Sequence, residues 1–283
     1  MTIRPRPFSR RIDGYGALLG AAANVAEPPD TTTEEYSHDQ QEGNARITRD
    51  YLEPLLRRTG SRSVLDVGCG VGQSVGTLLE DGFDAYGVDL PGLTRFWSEL
   101  HRDTDRFFVV DSEDFRLPFD DGAFDLAFSF GVLEHVGTLD GHASRRPDYH
   151  ERRALWAREI HRVVKPGGYL LLGGPNRNFP LDFSHGLDSR ANGVERWLSQ
   201  LVGRSVHRPW GDYFLWGYGD VRRYLAGTDS EVEPQRLDGL LKFGRLPAAL
   251  RGLASWYVRY LPRPLLGTGL NPWVMALVRK TPR

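Results

Sequence analysis

The residues with the clearest chemistry are two aspartates on either side of three glycines. Asp66 lies in an apolar run, Gly68, Gly70 and Gly72 follow it, and Asp89 closes the next apolar run. Glycines allow a tight turn and let the backbone approach a ligand closely. A carboxylate after the second strand can accept hydrogen bonds from both hydroxyls of a ribose. The pattern therefore predicts a nucleoside-containing ligand at a strand-to-helix turn.

Two common nucleotide-binding motifs do not fit this turn. The dinucleotide motif G-x-G-x-x-G needs a third glycine at position 73 or 75, where the chain has Gln73 and Val75. No G-K-[ST] follows the glycines, so the P-loop motif fails as well. The alternative without function is a plain turn in which Asp89 caps a helix that starts near Pro91.

Composition limits the classes that remain. The 36 Lys and Arg residues nearly balance the 37 Asp and Glu residues, so the electrostatic reason to expect nucleic-acid binding is missing. A single cysteine, Cys69, excludes an internal disulfide and a cysteine-based zinc site. No apolar run reaches the roughly 18 residues that a membrane-spanning helix needs. Arg10 and Arg11 only faintly resemble an export signal, and we expect a cytoplasmic location.

Apolar and amphipathic segments alternate along the chain. Strands are predicted at 61–67, 85–88, 107–110, 124–130, 169–172 and 273–278, and helices at 34–58, 72–81, 93–102 and 149–164. Pro54 is expected to kink the first helix or to end it early. Alternating strands and helices predict parallel βαβ units in an α/β fold with a doubly wound sheet.

The chain is expected to be one domain at 34–283, preceded by a flexible arm at 1–33. Residues 176–227 are predicted to form a substrate cap over the carboxyl ends of the strands, because this connection far exceeds the roughly two to six residues of an ordinary link. The aromatic residues of this segment favour an apolar acceptor pocket, with packing in the core as the alternative; they are Trp197, Trp210, Tyr213, Phe214 and Trp216.

The sequence resembles the class I S-adenosylmethionine (SAM)-dependent methyltransferases. The resemblance covers roughly residues 36–175 and rests on blocks at 64–72, 111–119, 124–126, 133–136 and 162–168, which occur in the family's order. It implies a mostly parallel seven-stranded sheet and SAM as the cofactor. The block Lys165–Gly168 would be a structural turn before the fifth strand.

The resemblance also implies roles for individual residues. Asp66 and the three glycines would hold the methionine part of SAM, and Asp89 the ribose, with Leu90 as a further cofactor-binding residue. Asp111 and Ser112 would contact the adenine, and Phe130 would lie beside the methyl-donating sulfur. Arg46 is the candidate for the carboxylate of SAM, with Arg49 as its competitor and a solvated helix face as the alternative for both.

The segment after the fourth strand raises the question of a metal. Quinone-biosynthesis and small-RNA methyltransferases of this fold carry E-x-x-E-H here, where the acids and histidine can hold a divalent cation. In this chain Gly131 replaces the first glutamate, which leaves Glu134 and His135. Because a hard cation loses much of its site with a carboxylate, we predict no required metal.

The predicted function is methyl transfer from SAM to a small or medium-sized acceptor, most plausibly at oxygen, without a nucleic-acid partner. His185 is the first candidate for a general base and His135 the second, since a histidine pKa near 6.5 suits proton abstraction. Asp182, three residues before His185, would share its face if the turn is helical. The alternatives are structural histidines, a SAM-fold cyclase or decarboxylase, and a non-catalytic partner subunit.

Overall fold

The computed structural model describes residues 42–90, 94–110, 115–138, 145–182, 185, 187–188, 190–209, 211–241 and 248–282. The predicted arm at 1–33 and the predicted adenine contacts Asp111 and Ser112 lie outside these residues, as does Trp210.

A seven-stranded sheet with helices between its strands forms the fold. The strands are β1 (Ser63–Val67), β2 (Asp84–Asp89), β3 (Phe107–Val109), β4 (Phe124–Phe130), β5 (Val164–Pro175), β6 (Leu181–Asp182), β7 (Ser205–Val206), β8 (Ser230–Pro234) and β9 (Trp273–Lys280). The helices are α1 (Glu53–Thr59), α2 (Gln73–Glu80), α3 (Thr94–Leu100), α4 (Tyr149–Val163), α5 (Gly193–Val202), α6 (Tyr218–Tyr224) and α7 (Ala248–Tyr260).

The strand order of the large sheet is β3-β2-β1-β4-β5-β9-β8, and β6 pairs with β7 in a separate two-stranded sheet. β1 runs parallel to both β2 and β4, and β2 runs parallel to β3. β9 pairs antiparallel with β5 and β8. The predicted seven-stranded, mostly parallel sheet is confirmed. β8 and α7 were not predicted from the sequence.

The first predicted helix passes through Pro54 instead of ending there. A π-helical turn at Thr48–Leu52 precedes α1, and the amide of Glu53 donates to the carbonyl of Thr48, five residues earlier. Because proline has no amide hydrogen, the wider turn lets the helix start again with Pro54 in its first turn. The expected kink is therefore a local change of helix type.

The block Lys165–Gly168, expected as a turn before the fifth strand, is included in β5. Gly167 has a φ of +82°, so the strand is bent there. Lys165 Nζ donates to Asp125 Oδ1 at 2.7 Å, and the amides of Arg62 and Ser63 donate to the other oxygen of Asp125. These contacts hold the pKa of Asp125 at about 2 although burial opposes ionisation.

The chain divides into two compact units. The first contains the residues up to Phe128 together with Glu159–Gly168, and the second contains Ser129–Arg158 and the residues from Tyr169 onward. The core of the first is built on β1 and an edge-to-face cluster of Tyr86, Phe119 and Phe124. The core of the second includes β9, Trp216 and Tyr224. None of the helices in the described part of the chain has the length and apolar character needed to cross a membrane.

Candidate functional site

The glycine turn of the first unit has the tight backbone turn that its sequence predicts, with all three glycines in the left-handed region. Gly68, Gly70 and Gly72 have φ angles of +89°, +56° and +83°. Gly72 is the N-cap residue of α2, and a Cβ atom there would lie 2.5 Å from the ring of Phe107. Position 72 therefore requires glycine for its conformation and for the space around it.

Asp89 is fixed against the turn by two backbone amides. Gly70 donates to Oδ2 at 2.5 Å, and Leu90 donates to Oδ1 at 2.6 Å. Burial raises the pKa of Asp89, although these hydrogen bonds oppose the rise. A carboxylate has about four lone-pair sites, so each oxygen of Asp89 keeps capacity for a ligand.

Asp66 is buried in β1, and burial raises the pKa of its carboxyl well above its usual range. The charge of Asp89 adds to this rise. Two carboxyl groups, one buried and one half-buried, thus lie near the glycine turn. Because a positive charge nearby favours their ionised form, the turn is suited to a cationic ligand.

Helix α3 supplies a clamp on the turn that sequence reasoning missed. Trp97 Nε1 donates to the carbonyl of Gly70 at 2.8 Å, and its ring stacks on Phe107. His101 Nε2 lies 2.9 Å from the carbonyl oxygen of Val71. A tryptophan and a histidine four residues apart share one helix face, but nothing in that spacing indicates which loop they contact.

The remaining predicted cofactor residues are placed as follows. Leu90 is largely exposed, and Phe130 ends β4 with its ring against Gly173. Arg46 is half-buried in the helical residues before the π-helical turn, and it forms an ion pair with Asp50 at 3.6 Å. Their contacts with SAM remain predictions.

In the second unit, four ionisable side chains from two chain segments come together; we call them the His185 cluster. It consists of Glu134, His135, Asp182 and His185. His185 Nδ1 lies 2.9 Å from Asp182 Oδ2, and His185 Nε2 lies 3.9 Å from Glu134 Oε1. The rings of His135 and His185 are 5.3 Å apart. The two histidines proposed from the sequence are therefore neighbours.

The sequence places Asp182 and His185 on one face if their turn is helical, and the structure brings the two side chains together through hydrogen bonds. Asp182 ends β6, and the amide of His185 donates to Asp182 Oδ1 at 3.4 Å. Ser205 of β7 also donates to the carbonyl of His185 at 2.7 Å. The side chain of an aspartate can form such a turn with a backbone amide a few residues later.

The buried Glu134 has one oxygen bound and one without a hydrogen-bond partner among the described residues. Trp216 Nε1 donates to Oε2 at 3.0 Å, whereas Oε1 faces His185. A Cβ atom at position 174 would lie 2.8 Å from Trp216 and 2.9 Å from Glu134 Oε2, so Gly174 makes room for this pair. The carboxylate is thus oriented with its unbound oxygen toward the histidine.

Arg153 holds the backbone around the cluster, and it was not recognised in the sequence. Its guanidinium is buried and donates to the carbonyls of Glu134, Val136 and Phe214. A buried arginine without a nearby carboxylate motif gives no signal in the sequence. It ties the segment after β4 to the segment before α6.

The neighbouring acids change the proton affinity of His185. Burial by itself lowers the pKa of His185, but the hydrogen bond to Asp182 and the charges of Asp182 and Glu134 outweigh it, so the pKa is raised above 6.5. The Nδ1 bond to Asp182 leaves Nε2 as the nitrogen that can exchange a proton with a ligand.

Three members of the cluster lie close enough together to bind one metal ion. Glu134, His135 and His185 each offer one ligand atom, and these atoms lie within 4.8 Å of one another. His185, which the sequence comparison with E-x-x-E-H did not include, thus takes part in a group that could hold a divalent ion. The absence of a required metal stays a prediction.

An open pocket of about 370 Å³ adjoins the cluster within the second unit. Its lining is Asp182, His185, Leu187, Ser199, Gln200, Gly203, Arg204 and Ser205. The aromatic lining expected from the sequence is not found there, because Tyr213, Phe214 and Trp216 are buried in the core and Trp197 faces solvent. The pocket is therefore more polar than predicted, and α5, β7 and the two residues between them that line it, Gly203 and Arg204, supply most of its wall.

Parts of this chain are similar in sequence to known methyltransferases. A family model described as a methyltransferase domain matches residues 65–172. The chain is 35% identical over 133 residues to a 2-methyl-6-phytyl-1,4-hydroquinone methyltransferase of Synechocystis, covering 43% of this chain and 36% of the relative. It is 29% identical over 175 residues to a sterol 24-C-methyltransferase of Gibberella zeae, covering 56% and 41%. A SAM-dependent methyltransferase structure from Archaeoglobus fulgidus has a TM-score of 0.44 at 17% identity, covering 87% and 99%.

Residues 65–172 are therefore a class I methyltransferase domain, the type that uses S-adenosylmethionine as its cofactor. The glycine turn, Asp89, Glu134 and His135 belong to this segment, whereas Asp182 and His185 lie beyond it. The chain spans less than half the length of the two curated relatives named above.

Proposed function

We propose that this chain transfers a methyl group from SAM to a hydroxyl oxygen of a small or medium-sized acceptor. The observation that carries the proposal is the His185–Asp182 pair at the wall of an open pocket. A histidine whose Nδ1 is held by a carboxylate and whose Nε2 is directed elsewhere has the arrangement of a general base.

The cofactor side of the proposal rests on the glycine turn. SAM carries positive charge on its sulfonium and amino groups, which suits the carboxyl groups of Asp66 and Asp89. The amides of Gly70 and Leu90 already hold Asp89 in one orientation, so less ordering is needed when a ribose binds. When bound, SAM supplies the electrophilic methyl group.

On the acceptor side, His185 Nε2 takes the hydroxyl proton and Asp182 stabilises the resulting imidazolium. The second carboxylate, Glu134, adds to this stabilisation from 3.9 Å. The polar lining of the pocket by Ser199, Gln200 and Arg204 supplies hydrogen bonds that orient an acceptor. The near-neutral net charge supports a small-molecule acceptor in preference to a nucleic acid, and we propose a cytoplasmic location.

Methylation at carbon is the second candidate, because one similar protein is named as a sterol 24-C-methyltransferase and another acts on a hydroquinone. Deprotonation of a phenolic hydroxyl creates a nucleophile at oxygen and at the ring carbons. His185 would serve both reactions, and the position of the new methyl group distinguishes them.

The test is to incubate the full chain with methyl-labelled SAM and a library of hydroxylated acceptors, followed by mass spectrometry and NMR of the products. We expect a labelled product in which the methyl group is bound to oxygen. A label on carbon selects the second candidate. Conversion of an acceptor without incorporation of label would point instead to a non-methylating SAM-fold enzyme, and failure to bind SAM in calorimetry would overturn the proposal.

A further inference from the structure

Helix α7 carries an apolar stripe that faces solvent. Leu250, Leu253, Trp256 and Tyr260 are 48%, 62%, 59% and 60% exposed. Their spacing of three and four residues places them along one side of the helix, and we call them the α7 stripe. Val258 lies away from the stripe and is buried, and Leu261, which follows the helix, is buried as well. A large exposed apolar area of this kind marks an interaction surface.

All the charged residues in the sequence segment that contains α7 are basic. From Gly239 to the C-terminal Arg283 the sequence contains no aspartate or glutamate, although acids and bases nearly balance over the whole chain. The basic residues of the part that contains α7 are Lys242, Arg245, Arg251, Arg259 and Arg263. Arg251 and Arg263 are exposed, and Arg259 is paired with Asp238 at 3.1 Å.

Helix α5 shows that exposed apolar residues alone do not define the partner. Val194, Trp197 and Leu201 are 64%, 60% and 71% exposed, at similar spacing. The sequence on either side of α5, however, mixes arginines with Asp188 and Asp212. Of these two helices, α7 is the one whose apolar stripe has a flanking sequence of a single charge sign, so charge distinguishes the two surfaces.

We propose that α7 is an interfacial helix that binds the surface of an anionic lipid bilayer. Leucine side chains of such a helix enter the boundary between headgroups and acyl chains, and tryptophan and tyrosine rings favour this depth. The excess of basic residues in this segment attracts anionic headgroups, and the missing acids remove the repulsion that would oppose contact. The inference concerns a surface outside the His185 cluster and the glycine turn, and it does not depend on methyl transfer.

The test uses the full chain in flotation with vesicles of phosphatidylcholine alone and of phosphatidylcholine mixed with phosphatidylglycerol. We expect flotation with the anionic vesicles, weaker binding at high salt, and little binding to neutral vesicles. The double variant Leu253→Ser/Trp256→Ser should lower the partition coefficient at least about tenfold, because two apolar side chains are lost. Arg263→Gln should lower it by about fivefold, whereas Arg251→Gln, on the side of α7 opposite the stripe, should lower it less.

The matched control is Leu155→Ser on α4, where the leucine is 54% exposed but lies outside the basic segment. It should bind vesicles as the wild type does, and unchanged thermal melting would show that every variant is folded. The inference is overturned if the wild type fails to float with anionic vesicles, or if the double variant floats equally well. It is also overturned if the double variant only dissociates a self-associated form, since the stripe would then be covered by a second copy of the chain.

Discussion

The glycine turn and the His185 cluster are assembled from the sequence in opposite ways. The turn is built from residues 66–72 and from Asp89 at the end of the adjacent strand, and two backbone amides hold it together. The cluster brings together segments around residues 134 and 182, and Arg153 and Trp216 hold it from two further segments. A site formed by neighbouring segments can be recognised in a sequence, whereas a site formed by distant segments depends on the tertiary fold.

The comparison also predicts different effects of mutation. Substitutions in the glycine turn should affect cofactor affinity and folding, because the turn is the proposed cofactor site and its backbone conformation requires glycine. Substitutions in the His185 cluster should affect turnover and its pH dependence, because the cluster handles a proton.

The largest effect is expected for His185→Ala. Loss of the proposed base should lower turnover by about 10²–10⁴-fold while SAM affinity stays unchanged. Steady-state kinetics and calorimetry on the same preparation separate the two quantities. His135→Ala tests the second candidate, and we expect this variant to keep most of its turnover, because Asp182 is hydrogen-bonded to His185. Unchanged turnover in both variants would leave methyl transfer to rest on alignment of the reactants.

Asp89→Ala should weaken SAM binding by about 1.5–3 kcal/mol, the scale for losing hydrogen bonds to a charged group. Calorimetry measures this directly. The exposed Glu80→Ala serves as control, because its carboxylate contacts only the exposed Arg49 on the protein surface. An Asp89 variant with wild-type affinity would remove the carboxylate from the cofactor site.

Gly72→Ala should destabilise the fold by about 1–3 kcal/mol more than Gly82→Ala. Both glycines have a φ of +83°, so the conformational cost of a side chain is matched. Only position 72 has a ring within 2.5 Å of the added Cβ, whereas position 82 has no atom within 4 Å. Equal urea midpoints for the two variants would show that Phe107 moves aside without cost.

Turnover should fall as the pH drops through the raised pKa of His185, because a general base must be neutral. Asp182→Asn replaces the charged carboxylate that raises this pKa with a neutral amide, so the acidic limb of the kcat profile should move to lower pH. The profile of the wild type and the variant can be measured with one acceptor. An acidic limb at the same pH in both would assign it to another group.

The smallest effect is expected for chelation. Because Gly131 replaces one carboxylate of the E-x-x-E-H pattern, EDTA should leave turnover unchanged. If EDTA abolishes turnover and magnesium or zinc restores it, the group formed by Glu134, His135 and His185 is a metal site, and His185 is a ligand in place of a base.

Local sequence determined the glycine turn, the order of the strands along the chain and the methyltransferase domain. The three glycines and the apolar runs act over a few residues, and β4 was predicted with the bounds that it has. Pro54 was recognised as a disturbance of its helix, but the π-helical turn depends on how the neighbouring turns adjust.

Only the tertiary structure decided how the distant residues meet. The Asp182–His185 contact forms through a turn and the β6–β7 pair, and Glu134 is oriented by a tryptophan 82 residues away. The sequence also did not decide whether Tyr213, Phe214 and Trp216 line a pocket or fill a core, because aromatic side chains favour both positions. The fold buries all three in the core. The exposure of the α7 stripe is a third case, since leucine and tryptophan in a sequence indicate burial until the fold leaves them on the surface.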